Sequence, residues 1–120
     1  MPLSDTLLEH FRNPRNAGEL ADASHVVEVT NPVCGDVLRL SVRVDGRRFA
    51  DVKFLCRGCT AAIACASLLT EQLKGSSTAD SNRVTAEMLA QQLQLTPATL
   101  HAAQLAVDGL RALQKVVGTT

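Results

Sequence analysis

Between Leu38 and Val44 the chain alternates. Leu38, Leu40, Val42 and Val44 are apolar, while Arg39, Ser41 and Arg43 are polar. A period of two is that of a strand with one buried face. Asp45-Gly46 follows, a pair that favours a type I′ turn, and Phe49 to Leu55 reads as the return strand. An earlier apolar-rich segment at about residues 25–30 completes three antiparallel strands with one polar face.

Elsewhere the period is helical. Leu7, Leu8 and Phe11 share one face behind Ser4, a good N-cap, and Asn13-Pro14 ends that helix. Residues 12–24 read as a loop. Residues 60–73 are rich in Ala, Ile and Leu, with Lys74 near the end and Gly75 as a stop. Gly75-Ser76-Ser77-Thr78 is a flexible break, and Thr85 caps a short helix carrying Met88, Leu89 and Leu93. Thr96-Pro97 opens a last helix of about residues 97–117, with Leu100, Ala103, Val107, Leu110 and Val117 on one stripe. Strands segregated from later helices predict an α+β fold, a three-stranded antiparallel sheet with an N-terminal helix and C-terminal helices packed on it. Residues 1–120 read as a single domain of ordinary size, without an internal repeat.

Composition narrows the function classes. Phe11, Phe49 and Phe54 are the only aromatic residues, so the core must be built from Leu, Val and Ala. Twelve basic residues balance twelve acidic ones, and no basic stripe or stacking platform suggests nucleic-acid binding. No apolar run approaches the length that spans a bilayer, and the first residues do not read as a signal peptide. Four cysteines in such a chain are expected to be reduced thiols, available for metal binding or reaction, in a cytoplasmic protein.

Those cysteines are spaced Cys34-x21-Cys56-x2-Cys59-x5-Cys65. Cys34 lies just before one hairpin strand and Cys59 just after the other. In antiparallel strands these two ends are neighbours, so Cys34 should meet Cys56 and Cys59 at one end of the sheet. Thiolates suit zinc or iron–sulfur clusters, and Cys59 opens a helix, whose positive end favours a thiolate. Gly35 and Gly58 flank the thiols and remove bulk. Asp36 adds an oxygen donor and His101 can supply an imidazole. Cys34, Asp36, Cys59 and His101 thus make four candidate ligands, the number that a zinc ion or a [2Fe–2S] cluster requires. Cys65 reads as a small core residue. Cys56 is either a strand-end packing residue or half of a Cys56-x-x-Cys59 pair, and His10 and His25 read as surface residues.

Several separated segments carry a resemblance to the IscU/NifU-type iron–sulfur scaffold family. His10-Phe11-Arg12-Asn13-Pro14-Arg15-Asn16-Ala17-Gly18 resembles its opening motif, and Asn31-Pro32-Val33-Cys34-Gly35-Asp36 its first ligand loop. Gly58 to Ala64, continuing through Ser67-Leu68-Leu69-Thr70-Glu71 to Lys74-Gly75, resembles the second ligand loop. Leu93-x-Leu95-x-Pro97 with Leu100-His101, and Leu105-Ala106-Val107-Asp108, resemble the C-terminal helix. The resemblance implies a nascent [2Fe–2S] cluster or zinc at Cys34, Asp36, Cys59 and His101. It also implies a cysteine desulfurase as sulfur donor and apo iron–sulfur proteins as recipients. It departs at two places. Ala102 stands where the family places a third cysteine, the residue commonly viewed as receiving persulfide sulfur. Leu95-Thr96-Pro97-Ala98-Thr99 keeps only the leucine and one proline of the family's chaperone-recognition segment, so the usual chaperone handoff is not expected.

Three functions follow as expectations. The first is a scaffold or carrier that holds a cluster transiently and is not an enzyme in the turnover sense, with Cys56 as the residue that could replace the missing thiolate. The second is a zinc-binding or metal-free relative acting as a regulator or partner surface. The third is a small thiol redox protein using Cys56 and Cys59.

Overall fold

In the computed structural model, which describes residues 3–118, the alternating segment forms the middle strand of the sheet. The strands are β1 (His25–Thr30), β2 (Val37–Asp45) and β3 (Arg48–Arg57), antiparallel in the order β1-β2-β3. Helix α1 (Asp5–Arg12) precedes them, and α2 (Thr60–Leu73), α3 (Ala86–Leu93) and α4 (Leu100–Val117) follow. This is the α+β arrangement expected from the pattern, with α2 and α4 packed on the inner face of the sheet. Leu38, Leu40 and Val42 of β2 and Val52 and Phe54 of β3 meet Ala61, Cys65, Leu69, Ala106 and Leu110 in one buried core. Gly109 lets α4 lie close on the sheet, since a Cβ there would stand 2.9 Å from Leu38 Cδ2 and 3.2 Å from Leu40 Cδ1.

The outer sheet face is partly covered. The loop before β1 runs along β3, where Gly18 N donates to Phe54 O and Phe54 N donates to Asn16 O. Arg39–Glu19 at 2.7 Å and Arg43–Asp22 at 3.3 Å fasten the same loop to β2. An edge strand is thereby protected from pairing with another chain.

Three expectations are corrected. The hairpin turn is not type I′, because only Gly46 has positive φ (+65°) and type I′ geometry needs it at both central residues. The last helix does not start at Pro97. Pro97–Thr99 form a separate 3₁₀ turn closed by reciprocal Thr96 and Thr99 hydrogen bonds, and Leu100 lies outside the apolar stripe, about half exposed. His10 is not on the surface. It is 5% exposed while Phe11 is 37% exposed, because the imidazole finds a partner inside: His10 Nδ1 lies 2.8 Å from Ser67 Oγ on α2. The backbone N–H of Arg15 donates to the same hydroxyl at 2.9 Å. One serine thus ties both α1 and the following loop to α2.

Burial, and after it the Arg15 guanidinium, hold the His10 pKa below its ordinary 6.5, against smaller opposing effects of Glu71 and Glu9. On acidification the unfolded chain therefore takes up the proton first. The contribution of His10 to stability is complete above about pH 6.5 and is lost as pH falls through the lowered folded value. Thermal melts of wild type and His10→Gln are expected to differ more at pH 7.5 than at pH 5.5. An offset of equal size at both pH values would mean that the imidazole does not titrate this way.

Candidate metal centre

The 31–36 loop is closed before any metal is considered. Asn31 N donates to Asp36 O and Gly35 N to Asn31 O, each at 2.8 Å. Val33 N donates to Asn31 Oδ1 at 2.9 Å. Gly35 has φ +77°, a left-handed conformation that a side chain would strain. The loop turns Cys34 outward, where it is exposed, and leaves Asp36 half-buried.

Cys59 is the N-cap of α2, with extended backbone (φ −73°, ψ 169°) and no capping hydrogen bond from its side chain. Its backbone N–H points at Asp36 Oδ2, 3.5 Å away. The strand register explains the meeting, because Val37 pairs with Arg57 and Leu38 with Cys56. The end of β3 therefore lies beside the start of β2.

His101 arrives from the first turn of α4, across the top of that sheet end. Ligand atoms of Cys34, Asp36 and His101 all lie within 4.8 Å of one another. On its other side His101 Nε2 is 3.7 Å from Cys59 Sγ. Four tetrahedral donors at zinc bond lengths stand about 3.4–3.8 Å apart. The three-residue group is held to a looser limit than that, and Cys59 is not part of it, although its sulfur reaches His101 and its backbone N–H reaches Asp36. Two soft sulfurs, one imidazole and one hard carboxylate make a mixed donor set.

The remaining candidates are not brought to this group. Cys56 sits opposite Leu38 in the sheet, half-buried and packed against the core, and like Cys59 it is outside the three-residue cluster, but among the described residues no contact ties its sulfur to His101. Burial, then Asp36, then Cys59 push its thiol up to about 12, so near neutral pH it is protonated. Cys65 is fully buried in the core, as expected, and burial raises its thiol to about 12 as well. His25 lies on β1, its Nδ1 3.0 Å from Ser24 Oγ. Ala102, next to His101, is fully buried. What sequence reasoning missed is the structural use of Gly58, which lies against the Asp36 carboxylate; a glycine directly before a ligand cysteine was the available signal.

Residues 3–117 match the model of the NifU-like N-terminal domain. The chain belongs to that family. Among its NifU-like relatives is the iron–sulfur cluster assembly scaffold protein IscU 1 of Archaeoglobus fulgidus. It is 41% identical over 109 residues, covering 90% of this chain and 71% of that protein. The iron–sulfur cluster assembly enzyme IscU of Drosophila melanogaster is 39% identical over 113 residues, covering 90% and 73% of the two chains. A solved structure assigned to iron–sulfur cluster assembly for the SUF system of Fervidobacterium islandicum AW-1 superposes with a TM-score of 0.80. At 21% identity over 91% of this chain and 93% of that one, it supports the NifU-like fold alone.

Proposed function

We infer that this protein is an iron–sulfur cluster assembly scaffold. The observation that carries the reading is the cluster of Cys34, Asp36 and His101 at one end of the sheet, with Cys59 against His101 and Asp36 beside it, in a family whose relatives carry that function in their names. The cluster is cargo here. Cys34 and Cys59 supply thiolates, His101 an imidazole between them, and Asp36 an oxygen donor that soft iron–sulfur chemistry holds weakly. A weak donor suits a protein that must let its cargo go.

Within that reading the cargo is a [2Fe–2S] cluster, its sulfur comes from a cysteine desulfurase, and its recipients are apo iron–sulfur proteins. The protein acts as a carrier without turnover chemistry. Free thiols at an exposed site suit a reducing cytoplasm, where we put its work; among the described residues no helix is long and apolar enough to cross a membrane. Ala102 occupies the place of the third family cysteine, so the site works with two thiolates. Cys56 is the further thiol at this end of the sheet, and recruiting it as a third ligand would require it to leave its partly buried position. Leu95 to Thr99 keep only the leucine and one proline of the family's chaperone-recognition segment, so handoff through the usual chaperone is not part of the scheme.

Anaerobic reconstitution with iron, cysteine and a cysteine desulfurase tests this. Stoichiometric iron and sulfide with a cluster absorption spectrum is the expected result. Zinc bound at one ion per chain without sulfide would favour the regulator reading. The same reconstitution of Cys56→Ser decides whether a third thiolate is recruited, through loss or retention of iron.

A further inference from the structure

Gly35 and Gly58 flank the two ligand cysteines, and different physics requires each. A Cβ on Gly35 would meet nothing within 4 Å, and its requirement lies in the positive φ. Gly58 is the reverse case. Its φ lies outside the left-handed region, so alanine could adopt the backbone, but the space is taken. A Cβ there would stand 2.8 Å from Asp36 Cγ and 2.9 Å from Asp36 Oδ2, and 3.2 Å from Ala62 Cβ. Separations under 3.0 Å are not tolerated. Ala62 is buried in the first turn of α2 and cannot retreat, so the carboxylate must be the group that moves.

We propose that Gly58 is a positioning residue, whose missing side chain is the space that the Asp36 carboxylate occupies when it faces Cys34 and His101. This rests on the reading of Asp36 as a donor. The carboxylate is held on two sides, with the Cys59 N–H 3.5 Å from Oδ2 and the bare Cα of Gly58 behind it. A methyl group at position 58 drives Asp36 off both, out of reach of the Cys34 and His101 atoms that now lie within 4.8 Å of it. The two thiols and the imidazole stay in place. Gly58 therefore sets whether the site has three donors or four.

The test is zinc affinity of the full chain, measured under reducing conditions by competition with a chromophoric chelator. Wild type, Asp36→Ala, Gly58→Ala and the double variant are compared, with thermal melts of each metal-free protein. Gly58→Ala is expected to weaken zinc about 10- to 100-fold, the usual cost of losing a group that orients a ligand. In the Asp36→Ala background the same substitution is expected to change affinity less than about twofold, since additivity fails for groups acting through one contact. The cobalt(II) form of Gly58→Ala should keep its thiolate charge-transfer bands. An equal loss in both backgrounds, or no loss in Gly58→Ala, overturns the proposal. If Asp36→Ala itself binds zinc like wild type, the donor assignment fails and the proposal with it. If Asp36→Ala weakens binding and Gly58→Ala does not, only the role of Gly58 is lost. Should Gly58→Ala fail to fold, Asp36→Gly/Gly58→Ala removes the clash and is expected to fold and bind as Asp36→Gly does; its failure would also overturn the proposal.

Discussion

Cys59→Ser is expected to lower the iron and sulfide retained after reconstitution more than about tenfold, while leaving the fold intact. Even outer groups that orient a ligand cost 10- to 100-fold in affinity, and here one of two thiolates is removed outright. A serine hydroxyl stays protonated at neutral pH and is a poor donor to iron. The position makes this substitution a clean one. Cys59 is the N-cap of α2 and makes no capping bond, whereas serine is among the preferred N-caps. The variant should match wild type in thermal stability or exceed it by up to about 1 kcal/mol, so lost binding cannot be ascribed to unfolding. Retention of more than half the wild-type iron would remove Cys59 from the donor set. His101 would then have to be reassigned as well, since its Nε2 lies 3.7 Å from that sulfur.

Phe49→Ala is the substitution expected to cost the most stability, about 3–5 kcal/mol. That is a large share of the 5–15 kcal/mol typical of a domain, and corresponds to a fall in Tm on the order of 10–20 °C. With three phenylalanines in the chain and Phe11 partly exposed, Phe49 is the bulkiest side chain wholly sealed from solvent. It also joins two parts of the fold. Its N–H donates to Ser76 O at 2.9 Å and its carbonyl accepts from Gly75 N at 2.7 Å, so the start of β3 is bonded to the segment that leaves α2. Urea denaturation with an unchanged m-value would report the loss as stability alone. A loss below about 1 kcal/mol would mean the neighbouring leucines collapse into the space.

What the chain determines by itself is set by local rules. Alternation from Leu38 to Val44 places one face of β2 inward, and Ser4 and Thr85 cap their helices by accepting from Leu7 N and Met88 N. Adjacency of antiparallel strand ends brings the Cys34 loop beside Cys59. Those features depend on neighbours in sequence or on one hairpin, so they were legible. His101 was a candidate by residue type, and the resemblance to a known family put it at the same site, because nothing local says where α4 begins in space. Only packing against β1, β2 and α2 carries that histidine over the sheet end. The same is true of His10, whose burial was decided by Ser67, a residue 57 positions away, and of Cys56, half-buried against the core opposite Leu38. Spacing between Cys56 and Cys59 says that they are close along the chain; the pleat of β3 packs Cys56 against the core and the start of α2 leaves Cys59 exposed. Gly58 belongs with these. Composition marks it as small, and only the position of the Asp36 carboxylate, across the strand pair, gives that smallness a chemical purpose.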